Sequence, residues 1–518
     1  MNTSLDPLFF SVSDTFDLPT HFKHPGISFS FHAEPVKKET LHCYDTFDWK
    51  GWNKNNTILL YRRRLNIIDL KNGREIFSVS FRKIPQSFFP NDVDNKATAS
   101  KLFNLSKLRA FICYGSIETE VRSWKVLDEN QKTITSVELR SIPSSNEAQK
   151  KLFVKLSPVR GYGKELQAVA GELKKHPEYV GKTTFTDFYK AVLAAGGIVP
   201  DNYSSKPFVK LKPGNTIQDS ARKLLLSTFG VIQANEQWIP KTIDTEFLHD
   251  YRVAIRRTRS ILAQLKRIFP PEKLSRYSQA FRELGKRTNN LRDQDVYLLQ
   301  AERFRALLPV TMRESLDPFF TDLGNRHKKE LRAFSRYLVS EKYRLLMQEW
   351  KSFLSNDMSS DPAITPDARK KTSDVAVSSI QKAWKKVIRH GREISRIATD
   401  TELHALRIDC KKLRYLLEFY ASVFPANILR MVVCQLKELQ ENLGAFVDLS
   451  VQQDYLNDYL SNLQCTAENT PFAASIGGLV TALYHEREQV RMNFHKTFDK
   501  FDRPETEALF NGLFKKNR

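Results

Sequence analysis

Cysteine is scarce in this sequence. Five stand among 518 residues, Cys43, Cys113, Cys410, Cys434 and Cys465, an odd number with no two at metal-ligand spacing. That excludes a disulfide-stapled or zinc-ribbon architecture and makes a reducing, cytoplasmic setting the expectation. No apolar run reaches the roughly 18–20 residues of a membrane span, so no membrane contact is expected. The opening MNTSLDPLFFSVSDTF has neither the basic start nor the apolar stretch of a secretory leader. Acids are also in short supply. Lys and Arg number 81 against 59 Asp and Glu, a net charge of +22. A surplus of that size suits a protein that meets polyanions, such as nucleic acid, an anionic surface or phosphate chains.

A chain this long, 41% hydrophobic, is too large for one core. The first third mixes β-branched and aromatic residues in TILLYRRRLNIIDL, EIFSVSFRKI and TITSVELRSI, with Asn72–Gly73 as a hairpin signal and SIPSSNEAQK as a loop. Residues 1–158 are therefore expected as a β-rich domain. Two helices and a Gly/Pro/Ser-rich linker, GGIVPDNYSSKPFVKLKPGN, are expected over 159–215. Residues 216–518 carry helical periodicity, interrupted by SNDMSSDPAITPDARKKTSD, which divides an all-α domain into halves at about 216–355 and 375–518. The fold class is α+β multidomain.

The two halves repeat one another. FLHDYRVAIRRTRSILAQLKRIFP aligns without a gap on ELHALRIDCKKLRYLLEFYASVFP, so that His249 and His404 stand 155 positions apart. The same offset pairs Leu248 with Leu403, Arg252 with Arg407, Arg256 and Arg257 with Lys411 and Lys412, and Arg259 with Arg414. It continues into the next helix, pairing Arg282 with Lys437, Glu283 with Glu438 and Asp293 with Asp448. One register held over about fifty residues marks a duplicated unit. At about 100° per residue, His249, Arg252, Arg256 and Arg259 fall within an arc of about 80°, and His404, Arg407, Lys411 and Arg414 copy that stripe. Arg257 and Lys412 fall on another face, where solvent is the simplest neighbour. Val253, Ile261 and Leu262, with Ile408, Leu416 and Leu417, are expected to pack the flanks.

One cation per helical turn is about one charge per 5.4 Å, and two facing stripes would give about one per 2.7 Å. That approaches the charge spacing of a single phosphate chain, about 3.4 Å in a nucleic-acid strand. Stripes so placed need a dense linear anion, or internal acids in its stead. The bland alternative is that Asp293, Asp448, Glu283 and Glu438 neutralise them in a structural network, Asp293 and Asp448 being the acids best placed to hold guanidinium groups. A helical histidine is often only a core or capping group, but matched positions at the head of both stripes favour a phosphate contact.

At these residues the sequence resembles the CHAD domain, the conserved histidine α-helical domain, through LHDYRVAIRRTRS, LRDQDV, LHALRIDCKKLRYLLEFY and LKELQENLG. The resemblance covers about residue 216 to the end. It implies two pseudo-symmetric four-helix bundles with a basic channel or surface that binds inorganic polyphosphate. By it, His249, Arg252, Arg256, Arg259, His404, Arg407, Lys411 and Arg414 fall on binding positions, with Arg282, Lys437 and Arg292 beside them. The second copy has Phe446–Val447–Asp448 where the first has Leu291–Arg292–Asp293, so the two ends are expected to bind unequally.

The N-terminal third resembles a degenerate CYTH domain, the triphosphate tunnel fold, through HCYDTFDWKGWNKNNTILLYRRR, VELRSI and LSPVRGYGKELQAVAGEL. That family implies an antiparallel tunnel and a Glu-x-Glu-x-Lys strand whose acids hold a metal. Here ISFSFHAEPVKK places Ser28, Ser30 and His32 at those alternating positions and leaves Glu34 alone. An incomplete tunnel follows, in which Arg62, Arg64, Arg82 and Lys83 could hold phosphate or simply face water. The expectation is non-catalytic binding of polyphosphate or another linear polyanion, with no catalytic residue, metal or cofactor, in a cytoplasmic protein placed on phosphate-rich granules. The alternative is a metal-dependent tri- or polyphosphatase fed by the helical domain. Nucleic acid is the less favoured ligand, because the stripe has few interleaved aromatics.

Overall fold

Alternating apolar residues build the first unit by sending neighbouring side chains to opposite faces of a sheet. A computed structural model describes residues 6–18, 21–24, 27–143, 150–355, 365–395, 398–464 and 466–514. Contacts divide the chain into Met1–Ser204 and Ser205–Arg518. Cys465, part of the expected loop at 141–150 and part of the expected interruption at 355–374 lie outside the described residues.

Twelve strands form the first unit's sheet: β1 Leu8–Val12, β2 His21–His24, β3 Ile27–Ala33, β4 Lys37–Thr46, β5 Asn56–Tyr61, β6 Arg64–Asp69, β7 Glu75–Ser80, β8 Ser87–Phe88, β9 Phe111–Leu127, β10 Thr133–Pro143, β11 Lys150–Pro158 and β12 Tyr179–Thr183. Every pairing described between strands is antiparallel. The main path runs β12-β1-β11-β10-β9-β4-β5-β6-β7, with β3 and β8 also on β9. Four helices accompany it: α1 Lys50–Asn53, α2 Lys96–Leu105, α3 Gly163–Lys174 and α4 Phe185–Ala195. Phe9 enters a core with α4, whereas its neighbour Phe10 enters another with α3.

Several expectations change in detail. TILLYRRRLNIIDL is two strands, not one, because Arg62 and Arg63 (φ 52° and 59°) turn the chain. The segment from 159 onward is not a free connection: β12 pairs with β1, and α3 and α4 cover the sheet. Phe29 and Phe31 of β3 are buried, while His32 is exposed and Glu34 is ion-paired with Lys37 and Lys125, at 3.4 and 3.9 Å. The side chain of Ser28 lies outside the described residues. Asp45 of the Tyr-Asp-Thr stretch accepts hydrogen bonds from the amides of Thr46, Gly51 and Trp52, so its carboxylate anchors α1.

The second unit is helical: α5 Ile217–Glu236, α6 Glu246–Gln264, α7 Pro271–Arg287, α8 Asn289–Leu299, α9 Ala301–Ala306, α10 Val310–Arg313, α11 Asp317–Leu338, α12 Glu341–Ser355, α13 Thr372–Glu393, α14 Asp400–Phe419, α15 Ala426–Ser461, α16 Thr470–Met492, α17 Phe494–Phe501 and α18 Pro504–Phe514. A capping box starts α14, with Thr399 and Glu402 satisfying each other's amides. At the starts of α5 and α13 an isolated bridge joins Thr216 to Lys371, and the Ser220 and Thr372 hydroxyls stand 2.7 Å apart. Residues from both halves fill one core, Tyr297, Phe304 and Phe319 packing with Leu449, Phe472 and Ile476. No described helix is long and apolar enough to cross a membrane.

Gly73, in the loop between β6 and β7, has φ 72°, and a Cβ there would lie 2.6 Å from the Phe9 ring. Gly73→Ala therefore combines left-handed backbone strain with overpacking and should cost about 3 kcal/mol, read as a lower urea midpoint.

Candidate anion-binding site

The site begins with how α6 is held. Phe247, Tyr251, Ala254, Thr258, Ile261 and Leu262 bury one side of it completely or nearly so. Packing, not propensity, therefore keeps the helix intact against the repulsion among its arginines. The opposite side borders a cleft of about 450 Å3, lined by His249, Arg252, Arg256 and Arg259 of α6, Asn289, Arg292 and Asp293 of α8, Arg407 of α14, and Asp448 and Gln452 of α15. Between the charged groups its walls are mostly aliphatic, Val253, Ile255, Val296, Val447 and Val451, with the buried Tyr297 among them.

The arginines play different parts. Arg252 donates to Gly285 O at 3.2 Å, Thr288 Oγ1 at 2.7 Å and Asn289 Oδ1 at 3.0 Å, so it staples the break between α7 and α8. Burial pulls it down to about 10, Asp293 opposes the shift, and Arg256 and Arg292 add to it. Arg256, Arg259 and Arg282 make no hydrogen bond or ion pair among the described residues. Arg259 is lowered by burial and then by Arg282. It also lies over Gly285, where a Cβ would stand 3.1 Å from its Nη1. Two buried donors beside the cleft, Arg292 Nη1 and Arg407 Nε, have no hydrogen-bond partner. Arg292 Nη1 is ion-paired with Asp295 Oδ2 at 3.8 Å, too far for a hydrogen bond, and Arg407 donates to Asp448 through Nη2. Among the described residues each of these two N–H groups still lacks an acceptor, a costly state unless one arrives.

The second copy is more self-contained. Arg407 donates to Asp448 at 2.9 Å. Arg414 donates to Glu418 at 2.9 Å and to Gln440 at 2.8 Å, and it does not line the cleft. Lys437 pairs with Glu441 at 3.5 Å, and His404 is exposed; neither lines the cleft. Lys411 also lies off the lining, yet it is pushed down to about 8 by burial, then by Arg407 and Arg256, with Asp448 opposing. Arg256 and its repeat mate Lys411 therefore stand close enough to repel.

Two expectations about the flanks fail. Arg257 is not solvated: it is 6% exposed, ion-paired with Glu418 and set over the Phe419 ring at 5.2 Å. This contact joins α6 to α14, which sequence spacing within one helix cannot reveal. Ile408 is not packed but 41% exposed. Lys412 is exposed, 3.8 Å from Asp409. Of the four acids proposed as neutralisers, two are occupied elsewhere, Glu283 by Lys286 at 3.3 Å and Glu438 by Lys500 at 2.5 Å, whereas Asp448 holds Arg407 as expected. Asp293 is raised by burial despite Arg252 and Arg292, with Asp448 and Glu330 adding to the rise. Sequence reading missed Thr288, Asn289 and Gln452; the Asn-Asn pair after Thr288 was the one available signal of a helix restart. It also missed Glu246 and Asp250, which with His249 offer ligand atoms within 4.8 Å of one another, the one group of three among the described residues suited to a metal ion.

Arg256 and Arg257 thus make a paired test. Arg257→Met leaves Glu418 with a lost partner and should cost about 3 kcal/mol by urea unfolding. Arg256→Met removes a cation that only repels its neighbours, and stability should hold or rise.

Residues 223–457 match the CHAD domain family, so the chain carries a CHAD domain after an antiparallel β-sheet domain. No curated protein matches the sequence. Among solved structures, the CHAD domain from the plant Ricinus communis is 21% identical, covering 60% of this chain and 96% of its own, with a TM-score of 0.44. PptA from Streptomyces chartreusis is 14% identical, covering 55% of this chain and 99% of its own, also with a TM-score of 0.44.

Proposed function

We propose that the CHAD domain at residues 223–457 binds inorganic polyphosphate along the cleft beside α6 and does not cleave it. The observation that carries this reading is the set of uncompensated donors. Arg256 and Arg259 line the cleft without an acid partner among the described residues, and Arg282 stands beside Arg259. Arg292 and Arg407, though ion-paired with Asp295 and Asp448, each keep one buried N–H without a hydrogen-bond acceptor among those residues. A structural network would satisfy these groups internally. A phosphate chain supplies acceptor oxygens and negative charge at the required density, with guanidinium forks forming charge-assisted hydrogen bonds.

The largely aliphatic walls favour phosphate over nucleic acid, since the aromatic residue in the lining, Tyr297, is 3% exposed with its ring packed on Phe304 and Tyr455 and leaves little plate for a base. We read the helical unit as two pseudo-symmetric four-helix bundles. In support, Thr216 bridges Lys371 and Arg256 repels Lys411, and both pairs join residues 155 positions apart. In this reading the first copy carries most of the binding, Arg407 lines the cleft from the second with Lys411 acting electrostatically from beside it, and His404, Arg414 and Lys437 contribute little. The protein acts in the cytoplasm, on phosphate-rich granules.

The N-terminal sheet is taken as a CYTH-like fold turned from catalysis. Glu39 is held by Arg62 and Arg140, and Glu138 by Arg140, so these acids answer to cations of the chain itself. Arg62 is thereby withdrawn from phosphate, and Arg64 donates to Ser78 at 3.0 Å.

Isothermal titration with polyphosphate tests the site. Arg256→Glu/Arg259→Glu should weaken binding at least a hundredfold, while Arg414→Glu should stay within threefold of the parent. Raising salt from 50 to 200 mM should cost the parent about a hundredfold for some five phosphate contacts. Unchanged affinity in the double variant refutes the cleft. Phosphate release from tripolyphosphate with Mg2+ or Mn2+ should stay at background; turnover would favour the phosphatase reading.

Lys411 gives a pH signature. Its titration near 8 in the free protein must move upward when a phosphate anion arrives, so binding takes up a proton above that pH. Affinity is therefore full below about pH 8 and declines as pH rises through the following two units. Lys411→Met should be weaker at pH 7 and flat across the same range.

A further inference from the structure

The first unit contains a cavity of about 270 Å3 that the phosphate reading does not use. Phe9, Phe153, Phe185 and Phe188 form its apolar wall, with ring centroids 5.5 Å apart for Phe9–Phe185 and for Phe153–Phe188. The void is far larger than the gaps that close packing leaves in a core. An apolar cavity of roughly 150 Å3 takes a benzene molecule, so this one has room for an aromatic ring with a short chain.

The opposite edge is a row of charges. Arg140, 5% exposed, donates to Glu39 at 3.0 Å, to Glu138 at 2.8 Å and to Thr119 at 2.9 Å. Arg62 closes the far side of Glu39, and Lys155 stands opposite Glu138 in the β10–β11 register. The exposed Arg74 and Glu75, which also line the cavity, offset one another, so three cations against two acids leave one positive charge. Lys155 carries it at the cavity: it helps lower the Glu138 carboxyl but is half-buried and makes no hydrogen bond or ion pair among the described residues. A polyphosphate brings many charges and cannot be balanced by an excess of one. A monoanion can, and the phenylalanine wall favours one with an apolar body. Pockets of this composition, apolar with a few convergent polar groups, are where small molecules bind.

We propose that this cavity binds a small organic monoanion of the arylalkyl or alkyl carboxylate class, its head on Lys155 and its body among the four phenylalanines. The site stands apart from the helical cleft in residues and in chemistry.

Isothermal titration of the full chain with 4-phenylbutyrate tests it. One saturable site is expected, at least tenfold weaker in Lys155→Met, with the melting temperature of that variant unchanged. The neutral 4-phenylbutanol, offered to the unaltered protein, should also bind at least tenfold more weakly, which checks the role of charge without a substitution. Arg256→Glu/Arg259→Glu should leave 4-phenylbutyrate binding as it was, so loss of polyphosphate binding and loss of this site are separately readable. Absence of a saturable site, equal binding of acid and alcohol, or displacement by equimolar tripolyphosphate each overturns the proposal.

Discussion

Unrelieved repulsion among cations is the constraint on which the helical unit turns. α6 sets four basic groups along one border, and Arg252 and Lys411 are both drawn below their usual ranges by burial and by neighbouring cations. Such a face persists only because the other side of the helix is locked into a core by Phe247, Tyr251 and Ile261. The hydrophobic term stabilises a geometry that electrostatics alone would disperse, and the stored repulsion becomes attraction once an anion enters. Binding capacity and folding are thus assigned to opposite faces of one helix.

The duplication has not kept its copies alike. Gly285 leaves room for Arg259, whereas its mate in the second copy is Gln440, which accepts a hydrogen bond from Arg414. Glu418, which also holds Arg414 and pairs with Arg257, has Ala263 as its counterpart. One arginine is therefore left open and the other is tied down. The same divergence appears at Arg252 and Arg407: the first rests on a broken helix at Thr288, the second on Asp448 against the continuous α15.

Much of this was legible in the sequence because periodicity and repetition are local properties. The stripe of α6, the ungapped repeat and the change from strands to helices all follow from residue spacing. What was not legible depends on partners from elsewhere in the chain. Arg257 lies off the stripe by helical angle, yet it is buried against a distant Glu418; Ile408 reads as core by composition, yet it is left 41% exposed. The turn at Arg62–Arg63 carries no glycine or asparagine, so the usual hairpin signal was missing. Glu39 and Glu138 lie on different strands, and only the sheet brings both to Arg140.

The shared core of the helical unit has a further consequence. Tyr297, Phe304 and Phe319 from the first copy bury themselves against Leu449, Phe472 and Ile476 from the second, so neither copy owns a complete interior. A single copy, released by cleavage between them, would expose an oily flank and would need another like it for cover. Held in one chain, the two flanks meet in an intramolecular step that dilution cannot undo.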